Sequence, residues 1–364
     1  MVKRAKEREN LPWLRRELLA WYAVNRRELP WRETRDPYAI WVSEIMLQQT
    51  RVAVVVERYR AFLSKFPTIT VLAMAPVEEV LALWSGLGYY RRARMLHKAA
   101  EVVVNDHGGE MPVTAEALRA LPGIGSYTAA AIASIAYGEK AAVVDGNVER
   151  VLCRLEGWEG GGRVAEKRRI ENLAAELVDP AQPGDFNQAM MELGATVCLP
   201  RNPQCLVCPL NAECKTRGEH KTEPRARMTT REVGYALVVR TGCVPGSGLD
   251  GDEVLLEQRS AEQTVMPGLW ELPALRDVDV PEEDLRMTVR HAIMQVNYIV
   301  RIRAVAEEDA ESMTVAEGER RWVSLDEAAG MALTGMARKV LTRAGLLRIV
   351  GSERVSVRPL QEVV

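Results

Sequence analysis

Two carboxylates in this chain stand where chemistry could use them. Glu44 lies in IWVSEIMLQQT, beside Trp41, Ile45, Met46 and Leu47. An acid in an apolar helical run either sits at the helix edge facing water or is buried. Burial would raise its pKa and leave a proton to donate at neutral pH. Asp145 ends the apolar run of AAVVDGNVERVL and precedes a helical pattern. Asp145 or Asn147 can serve there as an N-cap, and a helix N-terminus favours an ionised acid. One neutral and one charged carboxyl is the pairing that cleaves glycosidic bonds. Only the fold can bring residues so distant in sequence together.

Four of the six cysteines, Cys198, Cys205, Cys208 and Cys214, fall within CLPRNPQCLVCPLNAEC, while Cys153 and Cys243 stand alone. Disulfides are rare in a reducing compartment, so four neighbouring thiols point to one metal centre. Zinc and a [4Fe–4S] cluster both take four thiolates, and the spacing leaves both open. Arg201, Lys215 and Arg217 flank the cluster and can face phosphate.

A third feature is LPGIGSYTAAAIASIA, Leu121–Ala136. Gly123 and Gly125 make a tight hairpin, and an Ala-rich helix begins at once. Backbone N–H groups exposed there suit a phosphate oxygen, although any glycine-containing helix–turn–helix has the same form. Tyr127, at the start of that helix, is either a packed aromatic or part of a site.

These residues need helices to hold them. Apolar residues recur at helical spacing in LPWLRRELLAWYAV, VSEIMLQQTRVAVVVERYRAFL, PVEEVLALWSGL and AEALRALPGI. Short Pro- and Gly-marked connections separate them, with a looser turn at Gly160–Gly162. After Cys214 the polar KTRGEHKTEPRARMTTRE breaks the pattern and reads as a linker. Beyond it, VGYALVVRTG and DEVLLEQRS form an expected hairpin around GCVPGSGLDGD. MQVNYIVRIRAVA reads as a further strand and EAAGMALTGMARKVLTRAG as a late helix. The expected fold class is multidomain, with an all-α domain followed by a smaller α+β domain.

At 364 residues, 47% hydrophobic and 27% charged, the chain has the composition of a globular protein. No apolar run reaches bilayer length. MVKRAKEREN carries no apolar stretch behind its charges, so a cytoplasmic location is expected, nucleoid-associated in a bacterium. The net charge of −2 hides an asymmetry. Residues 1–231 hold 33 basic against 28 acidic residues, and the remainder 15 against 22. A basic first part fits a polyanionic partner, and RRELPWRETR and RRARMLHK concentrate that charge.

In this order, VSEIMLQQT, LPGIGSYTA, VDGNVERVL and the Cys-x6-Cys-x2-Cys-x5-Cys cluster resemble the helix–hairpin–helix DNA glycosylases of the endonuclease III superfamily. Within it they resemble the MutY family of adenine-DNA glycosylases. The resemblance is dense over residues 10–217. It implies two helical subdomains, one with a [4Fe–4S] cluster on Cys198, Cys205, Cys208 and Cys214. It also implies a monomer that bends double-stranded DNA and flips the target base. The bifunctional branch has a lysine at the position of Tyr127 that attacks C1′. Tyrosine there implies hydrolysis by water, stopping at the abasic site.

By the same resemblance Glu44 protonates adenine, Asp145 stabilises an oxocarbenium-like sugar, and Tyr127 and Asn147 orient them. Glu192, Arg27, Trp31, Arg32 and Leu47 would bind adenine. Otherwise Glu192 is an exposed helix acid, and Trp31 and Leu47 are ordinary core. Gln49 and Tyr89 match a wedge entering the duplex, Thr50 and Leu87 lie beside the opposing base, and Gly123 and Gly125 grip phosphate. GLWELPAL, Gly268 to Leu275, resembles the lead-in to a Nudix fold, but LRDVDVPEEDLRM has no Arg-Glu-x-x-Glu-Glu array. The second domain, expected at 232–350 after a linker at 218–231 and before a tail at 351–364, is therefore read as Nudix-like (MutT-like) and non-catalytic. Its implied role is recognition of 8-oxoguanine, or guanine, opposite the adenine. Its recognition loop would be TVRHAIM, Thr288 to Met294. His291 fits there, and Arg290 departs from the small hydroxyl residue common beside it.

Overall fold

The computed structural model describes residues 10–158, 164–219, 228–242, 251–260, 262–263, 265–293 and 295–347. The turn at Gly160–Gly162, most of the polar linker, the tip of GCVPGSGLDGD, Met294 and the tail beyond 350 lie outside the described residues. The chain divides into two compact units. Met1–Met74 and Met95–Pro224 form one; Ala75–Arg94 and the chain from Arg225 form the other.

Eleven helices precede the first strand among the described residues: α1 (Leu11–Asn25), α2 (Pro37–Leu47), α3 (Val52–Lys65), α4 (Ile69–Met74), α5 (Val77–Leu83), α6 (Arg91–His107), α7 (Ala115–Leu118), α8 (Ser126–Tyr137), α9 (Gly146–Glu156), α10 (Val164–Leu177) and α11 (Pro183–Thr196). None is long and apolar enough to cross a membrane. In the first unit α2 is the central element. Asp36 caps it by accepting from Tyr38 N at 3.0 Å, and Pro37 fills the first turn. Tyr38 through Met46 are all buried, as in a helix surrounded by protein. It packs on α3 and α8.

The single helical run expected through VSEIMLQQTRVAVVVERYRAFL is two helices. Gln49, between them, has φ 56°, a left-handed conformation that cannot continue a right-handed helix. A separate core joins α1, α9, α10 and α11 through Leu14, Leu18, Leu152, Leu173, Phe186 and Leu193.

Helix α11 approaches two neighbours so closely that it requires glycine. A Cβ on Gly184 would meet the Ser134 carbonyl oxygen at 2.7 Å, and one on Gly194 would meet Asn147 Cβ at 2.6 Å. So α11 lies against the backbones of both α8 and the start of α9.

The second unit carries two sheets. One has the order β6-β7-β1-β5-β8, with β1 (Thr229–Leu237), β5 (Ala274–Leu275), β6 (Leu285–Ile293), β7 (Val296–Ala304) and β8 (Thr314–Val315). The other joins β2 (Val239–Gly242), β3 (Gly251–Gln258) and β4 (Trp270–Glu271), with β9 (Arg320–Ser324) on β3. Helices α12 (Ala310–Met313), α13 (Leu325–Gly330) and α14 (Gly335–Arg343) complete it. Among the described residues this unit combines helices and sheets, as an α+β domain does.

Three sequence expectations need correction here. VGYALVVRTG is not one strand: it divides at Val238, and β1 pairs parallel with β7 while only β2 pairs with β3. The late helix breaks after Gly330, because Thr334 starts α14 as an N-cap accepting from Ala337 N at 3.1 Å. Thr288–Ile293 is not a loop but the end of β6, paired antiparallel with β7. Its alternation of exposed and buried positions, with branched Thr288, Val289 and Ile293, is that of a strand.

Candidate active site

Three elements of the first unit converge. Glu44, near the end of α2, is only 5% exposed, so it does not face water from a helix edge. Its Oε2 is buried with no hydrogen-bond partner. Burial pushes its pKa up from 4.5 to about 7; a hydrogen-bonding interaction with Tyr127 pulls it down, Asp145 raises it, and Arg32 lowers it. The carboxyl is therefore poised near neutrality.

Tyr127, in the first turn of α8, presents its hydroxyl to this carboxyl and to Met191 Sδ at 3.2 Å. Burial first, then the charges of Glu44 and Asp145, raises its pKa well above 10, so it stays a neutral phenol. The hairpin before it turns on Gly123, at φ 75°, where a Cβ would lie 2.7 Å from Met95 Cβ. Gly125 is the N-cap residue of α8 and has open space around it.

Asp145 is the N-cap of α9 and also the site's second carboxylate. It accepts from Asn147 N at 2.9 Å, Val148 N at 2.7 Å and Asn147 Nδ2 at 3.0 Å. The capping bonds fix where its oxygens point. Asn147 Oδ1 accepts in turn from Arg150 Nη2 at 2.8 Å. Arg150 also donates to the carbonyls of Gly194 at 2.7 Å and Cys198 at 2.8 Å. Arg150 was visible in VDGNVERVL, three residues after Asn147 and on the same helix face, yet the sequence alone gave no reason to single it out. Met191 gave no signal at all.

Glu192, on α11, is fully buried. Arg27 meets it through Nε at 2.8 Å and Nη2 at 2.8 Å, and Arg32 through Nη2 at 2.7 Å. Burial works against ionisation, but the hydrogen bonds from Arg27 and Arg32 outweigh it and hold the carboxyl at about 2. Trp31 is buried with its ring edge-on to Tyr59 at 5.5 Å, and Leu47 is half-buried at the end of α2. The structure thus groups Glu44, Asp145, Tyr127 and Arg32, and separately Glu192, Arg27 and Arg32, with Arg32 common to both.

Of the residues expected at DNA, Gln49 is exposed and left-handed, and Thr50 is half-buried with Oγ1 3.3 Å from the Gln48 carbonyl oxygen. In the second unit Tyr89 is also left-handed, at φ 49°, and exposed. Leu87 is buried, so its side chain is part of the core and not of the surface. Arg290 is exposed on β6; His291, its neighbour, turns inward, and its pKa is lowered by burial and by Lys339.

The four cysteines lie in the loop after α11. Burial pushes the Cys208 thiol up to about 11, with Cys198, Cys214 and Cys205 adding to the rise, so the four sulfurs share one neighbourhood. Among the described residues no three His, Cys, Asp or Glu side chains are grouped to hold a single metal ion. Arg154, buried, donates to Cys198 Sγ at 3.4 Å and to the carbonyls of Leu199 and Pro200 at 2.6 and 3.0 Å. Its Nε is buried without a partner. A buried cation aimed at clustered thiols, with a donor to spare, fits a negatively charged centre among them.

Comparison with known proteins gives this arrangement its kin. Residues 42–180 match the family model for HhH-GPD superfamily base excision DNA repair proteins. The chain is 52% identical to a human adenine DNA glycosylase over 245 residues, covering 64% of this chain and 44% of that protein. It is 42% identical to the mouse adenine DNA glycosylase over 311 residues, covering 72% and 60%. The chain thus spans about half the length of these curated relatives. A thermostable thymine-DNA glycosylase structure superposes with a TM-score of 0.54 at 34% identity, covering 57% of this chain and 97% of that one. Endonuclease III trapped covalently on DNA superposes with a TM-score of 0.50 at 25% identity, covering 59% and 98%. The chain belongs to the HhH-GPD superfamily of base excision DNA repair proteins and, within it, to the MutY family.

Proposed function

We propose that this protein is an adenine-DNA glycosylase that removes adenine mispaired with 8-oxoguanine or guanine. The observation that carries the reading is the Glu44 carboxyl: buried, unpaired at Oε2, titrating near 7 and set beside Asp145 and Tyr127. A flipped adenine would supply the missing partner. Protonated Glu44 gives its proton to N7, the base withdraws the C1′–N9 electron pair, and adenine departs. Asp145, fixed by its capping bonds, stabilises the positive charge left on the sugar. Water then forms the new bond to C1′ and gives a proton to the Glu44 carboxylate, leaving an abasic site and restoring the acid. Tyr127 has no amine, so no imine to C1′ forms there and the strand stays intact. Asn147 orients Asp145, and the Arg27–Glu192–Arg32 group would meet the base edge.

Cys198, Cys205, Cys208 and Cys214 would hold a [4Fe–4S] cluster. The buried Arg154 guanidinium, donating to Cys198 Sγ, supports a negatively charged centre among these thiols. When bound, that cluster supplies a cross-link that fixes the loop and, through the Cys198 carbonyl and Arg150, the end of the Asn147–Asp145 chain. The second domain is read as Nudix-like and as the reader of the opposing 8-oxoguanine.

The test offers the protein duplexes with adenine opposite 8-oxoguanine, adenine opposite guanine, and thymine opposite guanine. Free adenine from the first, with strand cleavage only after alkali, is expected. The third duplex addresses the alternative favoured by the likeness to a thymine-DNA glycosylase. Release of thymine and not adenine would replace the proposal.

A further inference from the structure

The loop after α5 holds one residue in a conformation that its type does not favour. Gly86 and Gly88 are left-handed at φ 91° and 68°, and so is Tyr89 at φ 49°. Glycine adopts this readily, whereas a tyrosine does so only where its surroundings over-determine it. Some of the restraint is local. Trp84 Nε1 donates to the Gly88 carbonyl at 3.2 Å, and Arg92 Nη2 donates to the carbonyls of Leu87 at 3.0 Å and Gly88 at 3.1 Å. The Arg92 guanidinium also lies 5.5 Å from the centre of the Tyr89 ring.

The rest comes from residues far along the chain in the same compact unit. Arg338 Nε donates to Ser85 Oγ at 2.5 Å, the buried Tyr90 hydroxyl donates to the Leu333 carbonyl at 2.8 Å, and Arg94 Nη2 donates to the Pro267 carbonyl at 2.6 Å. These three bonds bracket Tyr89 in sequence. Their far ends are fixed in turn. Trp270 N donates to the Ala332 carbonyl and Thr334 N to the Trp270 carbonyl, so the turn holding Leu333 is tied to β4. Thr334 Oγ1 donates to the buried Glu271 carboxyl at 2.9 Å. Tyr89 itself remains 47% exposed.

We infer that the sheet-bearing domain is the platform that positions Tyr89, holding its ring ready to enter a duplex. The inference rests on the reading above in which Tyr89 is the wedge. The domain would then act on the lesion through this loop as well as through its own surface. Arg338 and Tyr90 become positioning residues, although neither touches the reacting atoms.

The test uses the full-length protein with Arg338→Ala, Tyr90→Phe and both together. Hydrogen exchange of the 86–90 amides in the free protein should quicken about tenfold in the double variant, the effect of losing one or two hydrogen bonds. On a duplex with 2-aminopurine beside the mispair, the fluorescence rise caused by the wedge should fall with it. Arg338→Lys should restore both, since an ammonium can still donate to Ser85. Added to Tyr89→Ala, the pair of changes should cost nothing more, because they act through that ring.

Unchanged exchange, or losses that multiply with those of Tyr89→Ala, would overturn the inference. So would a 2-aminopurine signal in the unsubstituted protein that does not depend on Tyr89. Exchange needs neither DNA nor turnover, so failure of the positioning of Tyr89 and failure of the adenine reading are separate results. If Arg338→Ala unfolds the protein, Tyr90→Phe alone gives the same reading, because its ring stays packed.

Discussion

Replacing Glu44 by glutamine keeps the shape of the side chain and removes its charge, and the effect on stability should depend on pH. Burial moves the carboxyl from its ordinary 4.5 to about 7. That is roughly 300-fold tighter proton binding in the folded state, worth ~3 kcal/mol. The sign follows from which state holds the proton. Between pH 4.5 and about 7 the folded protein keeps a proton that the unfolded chain has lost. The contribution to stability is therefore complete below 4.5, falls as pH rises, and is gone above about 7. Glutamine has no such slope. At pH 8.5 Glu44→Gln should be the more stable protein by up to ~3 kcal/mol, or about 6–12 °C in Tm for a unit of this size. At pH 4.5 the two should melt together. Single-turnover adenine release should move the opposite way, falling about 10²- to 10⁴-fold as expected for loss of a general acid. In the unsubstituted enzyme the rate should decline above about pH 7, where Glu44 loses its proton. Thermal unfolding across this pH range is the assay. A Tm difference that does not grow with pH would refute the argument that Glu44 is desolvated. So would a glutamine variant that melts lower at pH 8.5.

Other outcomes follow from the same geometry. Glu192→Gln leaves Arg32, only 10% exposed in its side chain, without its anion, and should cost ~3–5 kcal/mol by chemical denaturation. Because Glu192 is held at about 2, its stabilisation is present above 4.5 and lost as pH falls toward 2. The glutamine variant should lack that acid slope. Gly194→Ala places a methyl 2.6 Å from Asn147 Cβ and should destabilise by ~1–3 kcal/mol while slowing excision. Undiminished excision in that variant would mean α11 does not position Asp145. The purified protein should absorb broadly in the blue and contain iron, and Cys205→Ser should lose both; a colourless protein holding zinc would reverse the cluster reading.

Periodicity made the helical domain legible because its core is built from helices whose apolar residues face one another, as in α1 and α11. It failed at Gln49, where one residue with positive φ ends a run whose side chains would all suit a helix. In the second domain the sheets were less legible. Nothing local in VGYALVVRTG shows that its first part pairs with a strand 67 residues away while its end turns into another sheet. TVRHAI alternates as a strand should, while its Arg290 and His291 are residue types that a recognition loop also carries. Leu87, which the resemblance sets beside the opposing base, is buried, and no single aliphatic residue announces its burial in the sequence. The reach of Arg338 and Tyr90 across the chain was wholly hidden, because polar contacts at that separation leave no periodic trace.

The carboxylates of the site show why type and spacing could nominate residues without fixing their states. Glu44 and Glu192 are both buried glutamates on helices. One is pushed up to about 7, because burial finds only a neutral phenol and an arginine that donates to Glu192 to offset it. The other is held at about 2, because two arginines donate to it directly. Exchanging those neighbourhoods would exchange the roles: Glu192 could then give a proton, and Glu44 could only accept hydrogen bonds. Asp145 is held differently again, by backbone N–H groups that define its position as the N-cap of α9. That is why the structural account of Asp145 and the functional one do not compete. The bonds that cap the helix are the same bonds that aim the carboxylate.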